Sequence, residues 1–174
     1  MSADHAHDAG AELVGSTRMT NADRGYSVHP NPVWRERANF IINARLPEEG
    51  RFEQLWCRRL TESTFEVCCI PFFLYDVALG DIVETESTSE GRFVFRGVRQ
   101  RSGRFVFRVH FFDSSRDSRR AVEQWTIGAG GLIEWATPTL LAIDADSPAR
   151  ASRIGEWLQA ESRVGQMIYE TGWL

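Results

Sequence analysis

Between Arg92 and Phe112 the chain alternates residue by residue, and few features restrict a fold more tightly. Arg104–Phe112 carries an apolar side chain at every second position, and Arg92–Gln100 alternates around Phe93 and Phe95, with Arg101-Ser102-Gly103 between them. Period two is the signature of a strand, since successive side chains point to opposite faces. Two such runs joined by three residues predict a hairpin with Gly103 left-handed, Gln100 opposite Arg104 and Phe93 opposite Phe111. Phe93, Phe95, Phe105, Phe107, Val109 and Phe111 then form its core face. Arg92, Arg96, Arg104, Arg108 and His110 fall on the other.

The flanking segments extend this pattern. Residues 1–37 are rich in Ala, Asp, Gly, Ser, Asn and Pro without periodicity, and read as a mobile N-terminal tail. Strands are expected at 39–44, 52–60, 64–70 and 82–86. Pro71 breaks the run into an apolar corner, Ile70-Pro71-Phe72-Phe73-Leu74-Tyr75, and Leu79-Gly80-Asp81 forms a turn. After Phe112 the period becomes helical. Asp113-Ser114-Ser115 offers a cap, and Gly128-Ala129-Gly130-Gly131 stops the helix. Strands at 132–135 and 139–143 follow. Ser147-Pro148 then opens a second helix with Ser as cap and Pro at its first position. A last strand is expected at 163–169.

The order from Arg104 onward is strand-helix-strand-strand-helix-strand, a ferredoxin-like βαββαβ arrangement. The expected fold is therefore α+β. A small β-barrel-like lobe over 38–102 packs beside a ferredoxin-like α/β lobe over 103–174.

Composition excludes several function classes. The 174 residues carry a net charge of −4, spread evenly, with no basic segment of the kind a duplex-DNA binder needs. All 20 basic residues are Arg, so lysine Schiff-base chemistry is ruled out. Cys57, Cys68 and Cys69 contain no CxxC pair and are expected as small apolar fillers. His5, His7 and His29 fall in the leader, so no metal site and no cofactor are expected. No signal peptide or spanning segment is read in the chain, which points to the cytoplasm.

Catalytic candidates are few. Cys69, His110 with Asp113, and Asp81 could serve a small enzyme with a cleft between the lobes, but GxSxG, HExxH and P-loop patterns are missing. Asp81 fits a turn better than a general base. Trp34 and Trp173 could anchor the ends of the folded region or meet a partner, whereas Trp56, Trp125 and Trp157 read as core. The more informative feature is the arginine face. In the hairpin register Arg96 lies opposite Arg108, and like charges across a ladder destabilise it by up to about 1 kcal/mol. Either Glu84 and Glu86 on the adjoining strand compensate, or an anionic partner does.

Glu53-Gln54-Leu55-Trp56, Ile70-Pro71-Phe72-Phe73-Leu74-Tyr75 and Leu79-Gly80-Asp81-Ile82-Val83-Glu84, with the Arg101–Arg104 turn, resemble the bacterial "domain of unknown function 4265" family over roughly residues 38–172. The resemblance implies a small bacterial cytosolic protein and assigns no catalytic residue. The function expected is a non-enzymatic binding protein, such as an immunity-type or regulatory inhibitor of another protein. Arg92, Arg96, Arg104, Arg108 and His110 would form its contact face. The alternative is a single-stranded nucleic-acid-binding module using the same face.

Overall fold

The computed structural model describes residues 25–89, 91–113 and 116–172, apart from the Arg116 side chain. Among the described residues, ten strands and two helices follow one another. They are β1 (Tyr26–Ser27), β2 (Phe40–Arg45), β3 (Phe52–Arg59), β4 (Thr64–Val67), β5 (Ile82–Ser87), β6 (Phe93–Gln100), β7 (Phe105–Phe111), α1 (Arg116–Gly128), β8 (Leu132–Thr137), β9 (Leu140–Ala145), α2 (Pro148–Ser162) and β10 (Met167–Thr171). A single 3₁₀ turn covers Arg35–Arg37.

The fold class is α+β, built on two sheets. In the first, β3-β2-β6-β5-β4 run in that order, and pairing of β3 with β4 closes them into a five-stranded barrel. Strand β1 adds to the outside of β3 in parallel. The second sheet has the order β10-β7-β9-β8, with every neighbouring pair antiparallel. Barrel closure leaves those five strands without a bare edge, which explains why such short strands are stable together.

Three apolar clusters organise the interior. Ile42, Leu55, Phe65, Val67 and Val83 fill the barrel. Phe107, Val109, Leu141 and Ile143 pack on one face of the second sheet with Val122 of α1 and Ile154 and Leu158 of α2. Ile70, Phe72, Ala78, Val106 and Ala142 form the junction between the Ile70–Tyr75 corner and the sheet's other face. Helix α2 begins as expected, with the Ser147 side chain accepting from Arg150 N–H and Pro148 leading the helix. The Ser114–Ser115 cap and Trp173 lie outside the described residues, as do His5 and His7.

Three expectations are corrected. First, β6 and β7 do not form a hairpin. Strand β6 is paired on both sides, with β2 and β5, so it has no edge for β7. The chain instead crosses between the sheets at Arg101–Gly103. Gly103 is left-handed (φ 79°), and Ser102 N–H donates to Asp81 Oδ1 at 2.7 Å. Second, Gly25–Arg37 is no tail but a packed segment, in which His29 is 2% exposed and Trp34 N–H donates to the Cys68 carbonyl. Third, the last strand begins at Met167 instead of Arg163, because Ser162–Gly165 closes α2 in turns.

Candidate functional site

Loss of the hairpin disperses the arginine face. Arg96 stays on the barrel wall, its side chain 66% exposed, with Glu86 at 3.7 Å as its ion-pair partner. Arg92 lies near the far end of the barrel and donates to the Tyr26 hydroxyl at 3.1 Å. Arg104 pairs with buried Asp144, its Nε 2.9 Å from Oδ1. Burial raises the Asp144 carboxyl pKa, and the Arg104 pair offsets that only in part. Arg108 is 1% exposed, and His110 is half-buried two residues further along β7. Only Arg108 and His110 share a neighbourhood.

That neighbourhood contains two polar constellations, one sealed and one open. The sealed one centres on His29. Its Nδ1 lies 2.7 Å from Glu134 Oε2 on β8, and its Nε2 lies 3.0 Å from Glu53 Oε1 on β3. Facing two ionised carboxylates, which only accept, both ring nitrogens donate, and this is the cationic form of the imidazole. Burial opposes that charge, but Cys69, Glu134 and Glu53 outweigh it and raise the His29 pKa well above 6.5. Glu53 moves the other way. Burial pushes its pKa up, but His29 and the Phe72 and Leu74 N–H groups more than reverse this and leave it lowered.

The remaining acceptor capacity is taken by backbone. Glu53 receives the N–H groups of Phe72, Phe73 and Leu74, and Glu134 those of Val33 and Ile70. The His29 ring also stacks on Phe72 at 4.0 Å, and Trp56 Nε1 donates to the His29 carbonyl. This cluster ties the barrel, the corner and the second sheet together.

The sealed cluster includes the only thiol near a histidine among the described residues. Cys69 sits beside His29, is fully buried, and has its pKa raised, chiefly by burial. Burial likewise lifts Cys68 to about 11 and raises Cys57. Neutral thiols without access to solvent make poor nucleophiles. Asp81 is also structural: it accepts from Ala78 N–H and Ser102 N–H and is 1% exposed. Among the described residues, no three His, Cys, Asp or Glu side chains converge in a way that could hold a metal.

The open constellation is a groove of about 280 Å³ lined by Pro47, Glu48, Phe72, Phe73, Tyr75, His110 and Glu170. The corner supplies its aromatic wall, the β2–β3 turn one rim, and β7 and β10 the other. Beneath it lies the Arg108 guanidinium, 4.4 Å from the Tyr75 ring centroid, with Nη2 donating to the Leu74 carbonyl at 2.6 Å. Tyr75 OH donates to Glu170 Oε1 at 2.7 Å, while Arg108 Nη1 stands 3.6 Å from that same oxygen. Arg108 Nε and Nη1 are buried without a hydrogen bond. Beside the groove, Phe112 and Ile168 continue the exposed rim.

Sequence reasoning missed Glu53, Glu134, His29, Tyr75 and Glu170. Glu53 was open to detection, because it shares a strand face with Leu55 and Cys57, where a charge demands a partner.

A closed barrel joined to a helix-covered antiparallel sheet by a sealed ionic cluster defines a small α+β domain with an open groove at the junction. The chain belongs to the family described as Domain of unknown function (DUF4265), whose model matches residues 53–169. None of the curated proteins matches it. A solved structure, described as a novel crystal structure of a hypothetical protein from Neisseria gonorrhoeae, is similar to it. That likeness has a TM-score of 0.60 at 19% identity and covers 76% of this chain and 94% of the other. At that identity the likeness concerns the fold. Among the described residues, no helix is long and apolar enough to cross a membrane.

Proposed function

We infer that this chain is a non-enzymatic binding protein whose working surface is the groove at the barrel–sheet junction. The observation that carries this reading is the contrast between its two polar sites. The His29 cluster, with the histidine, carboxylates and thiol that chemistry would need, is closed to solvent and saturated with partners. The groove is open, aromatic on one wall and flanked by exposed Phe112 and Ile168. Concave, largely apolar sites with a few converging polar groups are where ligands and partners bind.

The second sheet fits a ferredoxin-like unit, given its order β10-β7-β9-β8 and its helices after β7 and β9. Three buried free thiols agree with a reducing, cytoplasmic setting in a bacterium. The partner we favour is another protein, as for an immunity-type or regulatory inhibitor. Single-stranded nucleic acid is the weaker alternative, because Arg92, Arg96, Arg104 and Arg108 lie in separate places and form no continuous basic track.

The test is photo-crosslinking in extract of the native host, with a photoreactive amino acid at Phe73 or, as control, at Arg99 on the barrel wall. A defined protein adduct from position 73 that is missing from position 99 supports the reading. Identical adducts from both positions overturn it, and a nucleic-acid adduct favours the alternative.

A further inference from the structure

We propose that the groove takes a small organic carboxylate, which displaces Glu170 from Arg108 and binds the guanidinium in its place. The proposal rests on the groove being the binding surface, and adds a small ligand that occupies it in addition to the protein partner. The first observation is Arg108 itself. A guanidinium that is 99% buried normally spends its five donors on carboxylates or carbonyls. Here Nη2 has the Leu74 carbonyl, while Nε and Nη1 have no hydrogen bond. Its Nη1 end is directed at Glu170 Oε1, across 3.6 Å, and Glu170 lines the groove. That separation is longer than a charge-assisted hydrogen bond of about 2.7–2.9 Å, so Glu170 uses little of what Arg108 offers.

The second observation is the position of Glu170. It stands on β10, an edge strand, with a side chain 42% exposed, and among the described residues only Tyr75 OH donates a hydrogen bond to it. Glu170 is therefore a carboxylate free to turn into water when another arrives. The displacement leaves Tyr75 OH as a donor to the newcomer, with the His110 ring alongside. The Arg108 and Tyr75 donors, with His110 on the same groove wall, suit a carboxylate. Glu48 sits on the opposite rim and, like the released Glu170, keeps the affinity for anions modest. The wall of Phe72 and Phe73 selects an apolar body behind the acid group. At about 280 Å³ the groove falls just below the range of about 300–1,000 Å³ typical of drug-sized ligands, so the acid is small.

The probe is 3-phenylpropanoate, titrated into ¹⁵N-labelled full-length protein and followed by NMR, with 3-phenylpropanamide as its neutral counterpart. The expected result is saturable shifts at Phe73, Tyr75, His110 and Glu170, with the amide at least about tenfold weaker. Glu170→Gln removes the competing charge and should tighten the acid several-fold. Tyr75→Phe removes one donor and should weaken it. Arg108→Lys should abolish binding if the variant folds, and the Tyr75 and Glu170 variants decide the matter if it does not. Equal binding of acid and amide, unchanged or weaker binding in Glu170→Gln, or shifts away from the groove overturn the proposal. A peptide ending in a free carboxylate that binds in the groove where the small acid does not overturns the assignment to a small ligand. Loss of acid binding alongside an intact adduct from position 73 removes this inference and leaves the binding reading standing.

Discussion

Glu134 and Glu170 occupy one cross-strand row of the second sheet, running Glu170–Arg108–Ala142–Glu134, and both face the barrel corner. They have the same side chain on opposite edge strands, and opposite fates. Glu134 is 3% exposed and bonded to the His29 ring and to two backbone N–H groups. Glu170 is half in water, with one hydrogen bond and one long ion pair. The difference comes from what lies above each. The Gly25–Arg37 segment runs over β8 and seals Glu134, whereas at Glu170 the Tyr75 end of the corner reaches β10 and leaves the carboxylate half in water. A buried carboxylate with all its acceptors used is fixed in place; one with spare capacity in contact with solvent is exchangeable.

Substitution should separate them most sharply. Glu134→Ala leaves the His29 cation short of a partner and the buried Ile70 N–H and half-buried Val33 N–H without an acceptor, a loss of about 3–5 kcal/mol in chemical denaturation. Glu170→Ala takes a half-exposed carboxylate from a buried Arg108 that it meets only at 3.6 Å, and should cost less, about 1–2 kcal/mol. Similar losses at both positions would erase the distinction.

The pH response sharpens it further. His29 has a raised folded pKa, so the stability from its charge is complete below about 6.5 and is lost as pH rises through the raised value. Glu53 has a lowered one, so its contribution is present above its ordinary value and is lost as pH falls through the lowered value. The stability gap between the natural protein and His29→Gln should therefore narrow on the alkaline side. A gap that stays constant with pH would mean that His29 is neutral.

At the open end the reporter is Tyr75. Its hydroxyl pKa is raised, first by the hydrogen bond to Glu170. Glu170→Gln should bring it back toward the usual 10 in an ultraviolet titration, and no movement would mean that the Tyr75–Glu170 bond does not form in solution. The smallest effect is expected at Arg96→Glu on the barrel wall, within about 0.5 kcal/mol of the natural protein. A larger loss would make the Arg96–Glu86 pair structural.

Local chemistry was legible in the sequence to the extent that it was local. The alternation of Arg92–Gln100 and Arg104–Phe112 identified two strands, Ser147-Pro148 a capped helix and Leu79-Gly80-Asp81 a turn. All three are set by residues within a few positions of each other. Pairing was another matter. Two strands with matching patterns and a short link suit a hairpin, unless each finds a longer-range partner, and here β2 and β9 supply those partners. The same limit hid the site. His29 stands among polar, aperiodic neighbours, and nothing near it reveals that Glu53 and Glu134 will hold it. Arg108 was placed on a polar face by its parity with Arg104 and His110. That parity was right, but the face turned out to meet the barrel corner instead of water.

The His29–Glu134 contact spans 105 residues of chain, and this has a consequence for biosynthesis. At a translation rate of about 5–20 residues per second, His29 is added to the chain roughly 5–20 s before its second carboxylate. Through that interval the barrel strands can pair, but the imidazole has only Glu53. The segment ahead of β2 must therefore wait, unlocked, for β8. A contact that becomes available late thus belongs to the first described stretch of chain, and until the N-terminal segment docks a nascent copy is exposed to proteases there.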